Sequence, residues 1–296
     1  MFLTRFFIAN ILCCIFILIL SCIKKLFSKQ LSSKYVYFMW FPLFLILIMP
    51  FFPLDAMKKL NFMSAVYSLH QPGVTSNISS LSNSGRSLFK DFYEITARPF
   101  FHISADYFYF IWILGIVLGL FVFFLHAVQI RHILRFRISP SRKISLLFAD
   151  CKKELQIKKS VLLFESSRIS SPVTFGLLPT YVILPSSLEE YMKPSEIRHI
   201  LLHELIHKKH GDLIINYFSC ILQTLYWFNP LLWFGFHRMR EDLEIRCDNS
   251  VMELLKEEEQ IYYGYTLLNF SKYMINFPFK TGTHLIRSKT SLKKEL

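Results

Sequence analysis

The sequence predicts a mainly α-helical membrane protein. Three transmembrane helices precede a cytoplasmic α+β domain, and an apolar stretch within that domain forms a re-entrant or interfacial helix pair. Three observations predict this. Hydrophobic residues fill 53% of the 296 positions and charged residues only 19%, against about 25% charged in an ordinary soluble domain. Long apolar runs, with positive charge unevenly placed around them, occupy the first half of the chain. The second half returns to mixed charge and alternates short apolar runs with helical patterns. Such a composition excludes a disordered chain, a collagen-like chain and a disulfide-stapled mini-protein.

The first run, Phe6 to Ile23, carries no charge. A secretory signal has a shorter apolar core and a small-residue cleavage site. This run has neither, and Lys24, Lys25, Lys29 and Lys34 follow it. The second run covers 35–54, with Tyr35, Tyr37 and Trp40 near its start and Pro42, Pro50 and Pro53 able to bend or end it. The third covers 107–128, where Tyr107, Tyr109 and Trp112 suit an interfacial belt. Arg131, Arg135, Arg137, Arg142 and Lys143 come just past it. The positive-inside rule then places the amino terminus outside, 24–34 inside, 55–106 outside and everything after 130 in the cytoplasm. Residues 1–128 are thus expected to form a membrane anchor with an outer loop at 55–106, and 129–296 a cytoplasmic domain.

The net charge of +13 suits anionic lipid beside the spans. The adjoining bilayer accounts for the basic residues, so direct nucleic-acid binding is not expected. Gly115 and Gly119 form a GxxxG pattern that leaves a homodimer open. Cys13, Cys14, Cys22 and Cys220 lie in apolar runs, and Cys151 and Cys247 in charged stretches on the cytoplasmic side. No CxxC pair exists, so six reduced thiols are expected rather than a zinc ribbon.

In the cytoplasmic half, Val161 to Phe164 reads as a strand, and 172–185 as two short strands around a Gly/Pro turn. Proline at both ends of the latter suggests edge strands. A helix follows, with Ser195 as its expected N-cap behind Pro194 and Gly211-Asp212 as its end. On it lies His203-Glu204-Leu205-Ile206-His207, an HExxH pattern. Two imidazoles at i and i+4 share one helix face and can bind one zinc. Glu204, beside His203, can act as general base toward an attacking water.

A catalytic zinc takes a third protein ligand. Metzincins supply a His ten residues after the first, but that position here is Leu213. His210, three residues past His207 on the same face, reads as a surface residue or as one behind the ligands. Glu244, in Glu244-Ile-Arg-Cys-Asp248, is the favoured ligand, because a downstream Glu is usual in gluzincins. Glu241 and Asp242 are its rivals, and a solvated acidic helix face is the bland alternative. Asp248 shares a helix face with Glu244 and could orient a ligand His or the neighbouring Arg246.

Membrane sidedness constrains residues 213–236, another apolar stretch. A single crossing would separate Glu244 from His203. The stretch must therefore return, and Asn229-Pro230 supplies a break.

These residues resemble the integral-membrane zinc peptidases of the Bla/Mec regulator type, the beta-lactam sensor-transducers. The resemblance lies in Ser171 to Gly176, Tyr181 to Pro185, His203 to His207, Asp212 to Asn216, Tyr226 to Pro230 and Glu244 to Asp248, with Ser291-Leu-Lys-Lys294 as the start of a basic segment. It implies a gluzincin-type zinc protease in a bacterial cell membrane, with zinc as cofactor. Asp248 and Asp212 would support the metal ligands, and an extended substrate would lie along Val173, Thr174 and Phe175. It further implies an enzyme that cleaves a cytoplasmic transcriptional repressor, and itself, to de-repress antibiotic-resistance genes. A housekeeping membrane zinc protease of quality-control or prenyl-protein type, or an inactive truncated sensor, is the alternative. The family's extracellular penicillin-binding domain has no counterpart in these 296 residues. Ser87-Leu-Phe-Lys90 and Lys280-Thr-Gly282 copy fragments of its motifs on opposite sides of the membrane, so no beta-lactam acylation site is expected.

Overall fold

A computed structural model describes residues 2–27, 33–52, 99–158 and 160–276. The SxxK and KTG fragments, Pro53, most of the expected outer loop and the basic segment at 291–294 lie outside the described residues. Helices α1 (Phe2–Leu26), α2 (Ser33–Phe38), α3 (Phe41–Ile48) and α4 (Pro99–Arg135) come first. After them come α5 (Arg142–Glu154), strands β1 (Val161–Ser166), β2 (Val173–Phe175) and β3 (Thr180–Pro185), and the short α6 (Leu188–Tyr191). The chain ends its described part with α7 (Pro194–His210), α8 (Asp212–Leu225), α9 (Pro230–Leu254) and α10 (Glu257–Asn276).

The chain forms two compact units, one of residues 1–22 with 41–118 and one of residues 23–40 with 119–296. This division falls elsewhere than at residue 128. Residues 23–40 join the second unit because Tyr37 and Trp40 are buried there against α9.

In the first unit, aromatic rings provide much of the packing. Phe6 sits 5.3 Å from Trp112 and 6.4 Å from Phe51, centroid to centroid. Edge-on aromatic pairs of this kind add about 0.5–1.5 kcal/mol beyond the area they bury. Two helical stretches, Arg5–Leu26 and Tyr107–Arg135, are long and apolar enough to cross a bilayer. The expected second span is not one helix. Its apolar run is divided into α2, a turn at Met39-Trp40, α3 and a 3₁₀ turn at Met49–Phe51. Pro42 has no N–H for the preceding turn to accept, which favours a break just before it.

In the second unit the sheet order is β1-β3-β2, with β1 parallel and β2 antiparallel to β3. The register pairs Thr174 with Val182 and Phe175 with Tyr181. Only β2 fits the expectation of edge strands. β3 is central, with Val182, Ile183 and Leu184 fully buried, and Pro185 is tolerated because it is the strand's last residue.

Helix α7 runs through the core. Leu201, Leu202, Leu205 and Ile206 meet Ile144 and Phe148 of α5, Leu184 of β3 and Leu243 and Cys247 of α9 in one apolar cluster. The helix starts at Pro194, two residues earlier than a Ser195 cap would allow, with Lys193 as N-cap. Proline at the first position forfeits no hydrogen bond, and the Glu196 carboxylate accepts from the Lys193 N–H at 2.8 Å. Gly211 ends it at φ 78°, a left-handed conformation that disfavours a side chain. The next residue, Asp212, opens α8.

The apolar stretch 213–236 is divided between α8 and the first turns of α9, joined at Tyr226–Asn229, and Arg240 of α9 donates to Gln223 of α8 at 2.7 Å. The Asn229 side chain caps α9, accepting from the Leu232 N–H at 3.1 Å. Ile214, Tyr217, Ile221, Trp227, Trp233 and Phe234 are exposed along this stretch. Gly119 of α4 is used within the chain, since a Cβ there would come within 2.8 Å of Thr224 Cγ2 on α8.

Candidate metal centre

The buried middle of α7 presents its polar residues to α9, α10 and β2. The i, i+4 spacing stacks His203 and His207 with their Nε2 atoms 3.1 Å apart. From α9, Glu244 Oε2 lies 3.3 Å from His203 Nε2 and 3.8 Å from His207 Nε2. Each imidazole turns its other nitrogen to a carboxylate. His203 Nδ1 is 2.9 Å from Asp248 Oδ1, and His207 Nδ1 is 2.9 Å from Asp212 Oδ2. Carboxylate–imidazole pairs of this form fix ring orientation and tautomer in metal sites.

The three remaining acidic residues of interest separate cleanly. Glu204 is buried, and its Oε2 accepts from the Thr174 hydroxyl of β2 at 2.7 Å. Glu241 pairs instead with Arg238 at 2.8 Å. Asp242 faces the other way, 2.6 Å from Lys24 Nζ and accepting from Trp40 Nε1 at 2.6 Å. His210 lies outside the His203, His207 and Glu244 group. Of the three β2 residues, Thr174 reaches Glu204, while Phe175 is buried with Ile133 and Ile183, and Val173 packs on the same small cluster.

Burial alone would disfavour a charged His203, but hydrogen bonds to Asp248 and Glu244, and their charges, outweigh it and push its pKa up to about 10. Burial, Asp212 and Glu244 together hold the Cys247 thiol well above its ordinary value. It therefore stays protonated, and it donates to Asp212 Oδ2 at 3.2 Å.

Several contributors carried no sequence signal. Tyr263 of α10 donates to Asp248 Oδ1 at 2.7 Å and lies 3.4 Å from His203 Nδ1. Nothing in the α10 sequence marks it, because α10 meets α7 only through the fold. With His199, Glu204, Thr266 and Phe270 it lines a small cavity beside His203. Thr174 as the partner of Glu204, and Arg246 as the partner of Asp212 rather than of Asp248, were equally invisible.

With this geometry in place, comparison with known proteins is decisive. A family model described as BlaR1 peptidase M56 matches residues 4–296. The chain belongs to that family. It is 31% identical over 277 residues to the "Regulatory protein BlaR1" of Bacillus licheniformis, covering 91% of this chain and 46% of that protein. It is 26% identical over 257 residues to the "Methicillin resistance mecR1 protein" of Staphylococcus aureus strain Mu50 / ATCC 700699, covering 86% and 44%. The same figures hold for the protein of that name from Staphylococcus epidermidis. The chain thus spans just under half the length of these curated relatives. Membership in the M56 family supports a metallopeptidase, and the two apolar helices fit a membrane protein.

Proposed function

We propose that this chain is a membrane-embedded zinc endopeptidase of the gluzincin type, in which His203, His207 and Glu244 hold the metal and Glu204 is the general base. One observation carries the reading. Donors about 2.0–2.1 Å from a single tetrahedral ion lie about 3.3 Å from each other. The three donor atoms here are separated by 3.1, 3.3 and 3.8 Å. Two imidazoles and a carboxylate are also a donor set that zinc favours. When bound, zinc supplies Lewis-acid activation of the water and of the scissile carbonyl. Glu204 takes a proton from the attacking water and passes it to the leaving amine. The Thr174 hydroxyl holds that carboxylate in place, and Asp248 and Asp212 keep both imidazoles presenting Nε2. An extended substrate adds to the edge strand β2, using backbone hydrogen bonds beside Glu204.

The reading extends to topology and role. Residues 1–128 contribute three passes, at about 6–23, 35–54 and 107–128, the second running through the broken α2–α3 segment, with the amino terminus outside. Residues 129–296 form the cytoplasmic protease domain. At 14 residues α8 is about 21 Å long, short of a hydrocarbon core of about 30 Å. The α8–α9 hairpin therefore enters or lies on the bilayer and returns to the same side. The substrate is a cytoplasmic transcriptional repressor, and the chain itself, cleaved to de-repress antibiotic-resistance genes. The names of the relatives, a regulatory protein and a methicillin resistance protein, support that role.

The test uses the purified chain in detergent, with zinc measured by mass spectrometry and cleavage followed on casein and on the chain itself. His203→Ala and His207→Ala should lose the metal. Glu204→Ala should keep it and lose cleavage, and retained turnover would overturn the mechanism. A single Cys at Lys256, in a background without native Cys, should resist an impermeant thiol reagent in intact cells; labelling from outside would overturn the hairpin.

A further inference from the structure

Helix α9 serves two neighbours from two faces. Glu244 and Asp248, four residues apart, meet His203 of α7. Asp242 and Arg246, also four residues apart, meet α2 and its following turn instead. The second face leads back to the first. The Arg246 guanidinium is buried, lies 3.8 Å from the centroid of the Tyr37 ring, and donates through NH2 to Asp212 Oδ1 at 2.5 Å. The other oxygen of Asp212 is the one against His207 Nδ1. Tyr37, Arg246, Asp212 and His207 thus form one continuous chain of contacts from α2 to the candidate centre.

We propose that Arg246 is a positioning residue for His207, acting through Asp212, and that Tyr37 on α2 holds Arg246 in place. The proposal rests on the zinc reading above. Three physical points support it. Asp212 is almost wholly buried, so its negative charge demands a partner, and Arg246 is its cation. A guanidinium is planar, so stacking on an aromatic face while donating from its edge fixes its orientation as an ammonium cannot. Arg246 Nε has no hydrogen-bond partner among the described residues, which leaves the Tyr37 ring as a principal contact for that part of the group. The start of the second apolar run is therefore part of the metal centre's scaffold.

The experiment measures zinc affinity of the full chain in detergent by competition with a chromophoric chelator. Tyr37→Leu and Arg246→Met should each weaken zinc binding by about tenfold or more, the range seen when outer partners of ligand histidines are removed. Tyr37→Phe, which keeps the ring, should retain wild-type affinity. Combining Tyr37→Leu with Arg246→Met should weaken binding no further than Arg246→Met alone. Lys24→Gln opens the neighbouring Asp242 pair and should leave zinc affinity unchanged. A loss there equal to that of Tyr37→Leu would mean general loosening of α2 and would overturn the relay. If Arg246→Met fails to fold, Arg246→Lys takes its place, with weaker zinc binding expected. Wild-type affinity in both Tyr37→Leu and the Arg246 variant overturns the proposal. Absence of zinc from the wild-type chain, or its retention in His207→Ala, overturns the zinc reading and this proposal together, so the two failures are told apart.

Discussion

Helices α4 and α7 invert the usual link between hydrophobicity and burial. The membrane-candidate stretch of α4, Tyr107–Arg135, is strongly apolar, yet its most apolar window has no buried residue. Helix α7 is sprinkled with His, Glu, Lys and Arg, yet Ile197 and His199 through Ile206 are all buried. A soluble fold would not spend Leu114, Leu118, Phe121 and Phe124 on a surface. The difference fits a membrane helix in α4, while α7 is enclosed by protein. On α7 each buried polar side chain needs a named partner, and those partners build a site. On α4 side chains need only be apolar.

The largest expected effect tests the polar half of that contrast. Glu204→Gln should reduce turnover by about 10²–10⁴-fold at unchanged zinc content, read by peptide cleavage against metal analysis. Next come the apolar positions. Leu205→Ala should cost about 2–5 kcal/mol, measured by denaturant unfolding in micelles. Leu118→Ala should stay within about 0.5 kcal/mol, and equal losses would erase the distinction between the two helices. A charge sharpens it from the other side. Leu118→Arg should raise the insertion cost by about 2.5–3.5 kcal/mol, seen as reduced recovery in the membrane fraction; normal recovery would remove α4 from the bilayer.

The smallest effect concerns pH. Burial first, then the charge of Arg198, lowers the pKa of His199 on α7 below its ordinary 6.5. The unfolded chain therefore binds this proton more readily than the folded one. The associated stability is complete above about 6.5 and is lost as pH falls through the folded value. His199→Gln, which can still meet Thr266 where His199 Nδ1 now lies 2.8 Å from its Oγ1, should flatten the acid side of a thermal-stability profile below pH 6.5. An unchanged slope there would show that another group governs it.

Much of the site was legible because it is local. The HExxH spacing needs only one turn of helix, and the break between α8 and α9 follows from one Asn-Pro pair. What was illegible depends on how helices are rotated against each other. Glu241, Asp242 and Glu244 are equivalent by composition. They differ because α9 turns residues 244 and 248 to α7, 242 and 246 to α2, and pairs 241 with Arg238. The break at Met39-Trp40 was legible in Pro42 but not in hydropathy, which sums over a window and does not register a turn inside it. The central place of β3 was misjudged because Pro185 was weighed as a strand residue rather than as its terminus.

Gly211 joins α7 to α8 with no spacer, and this sets which lengths of chain evolution can accept. His207 stands four residues before that joint and Asp212 one after it, and the two touch across it. One inserted residue would turn α8 by about 100° against α7, carrying Asp212 off the imidazole and away from Arg246 at once. No compensating side-chain change restores a helix phase. The joint at Tyr226–Asn229 is bridged from farther off, by Arg240 of α9 donating to Gln223 Oε1 of α8 at 2.7 Å. Insertions and deletions among relatives should therefore be absent between His207 and Asp212, a pattern of lengths rather than of residue identities.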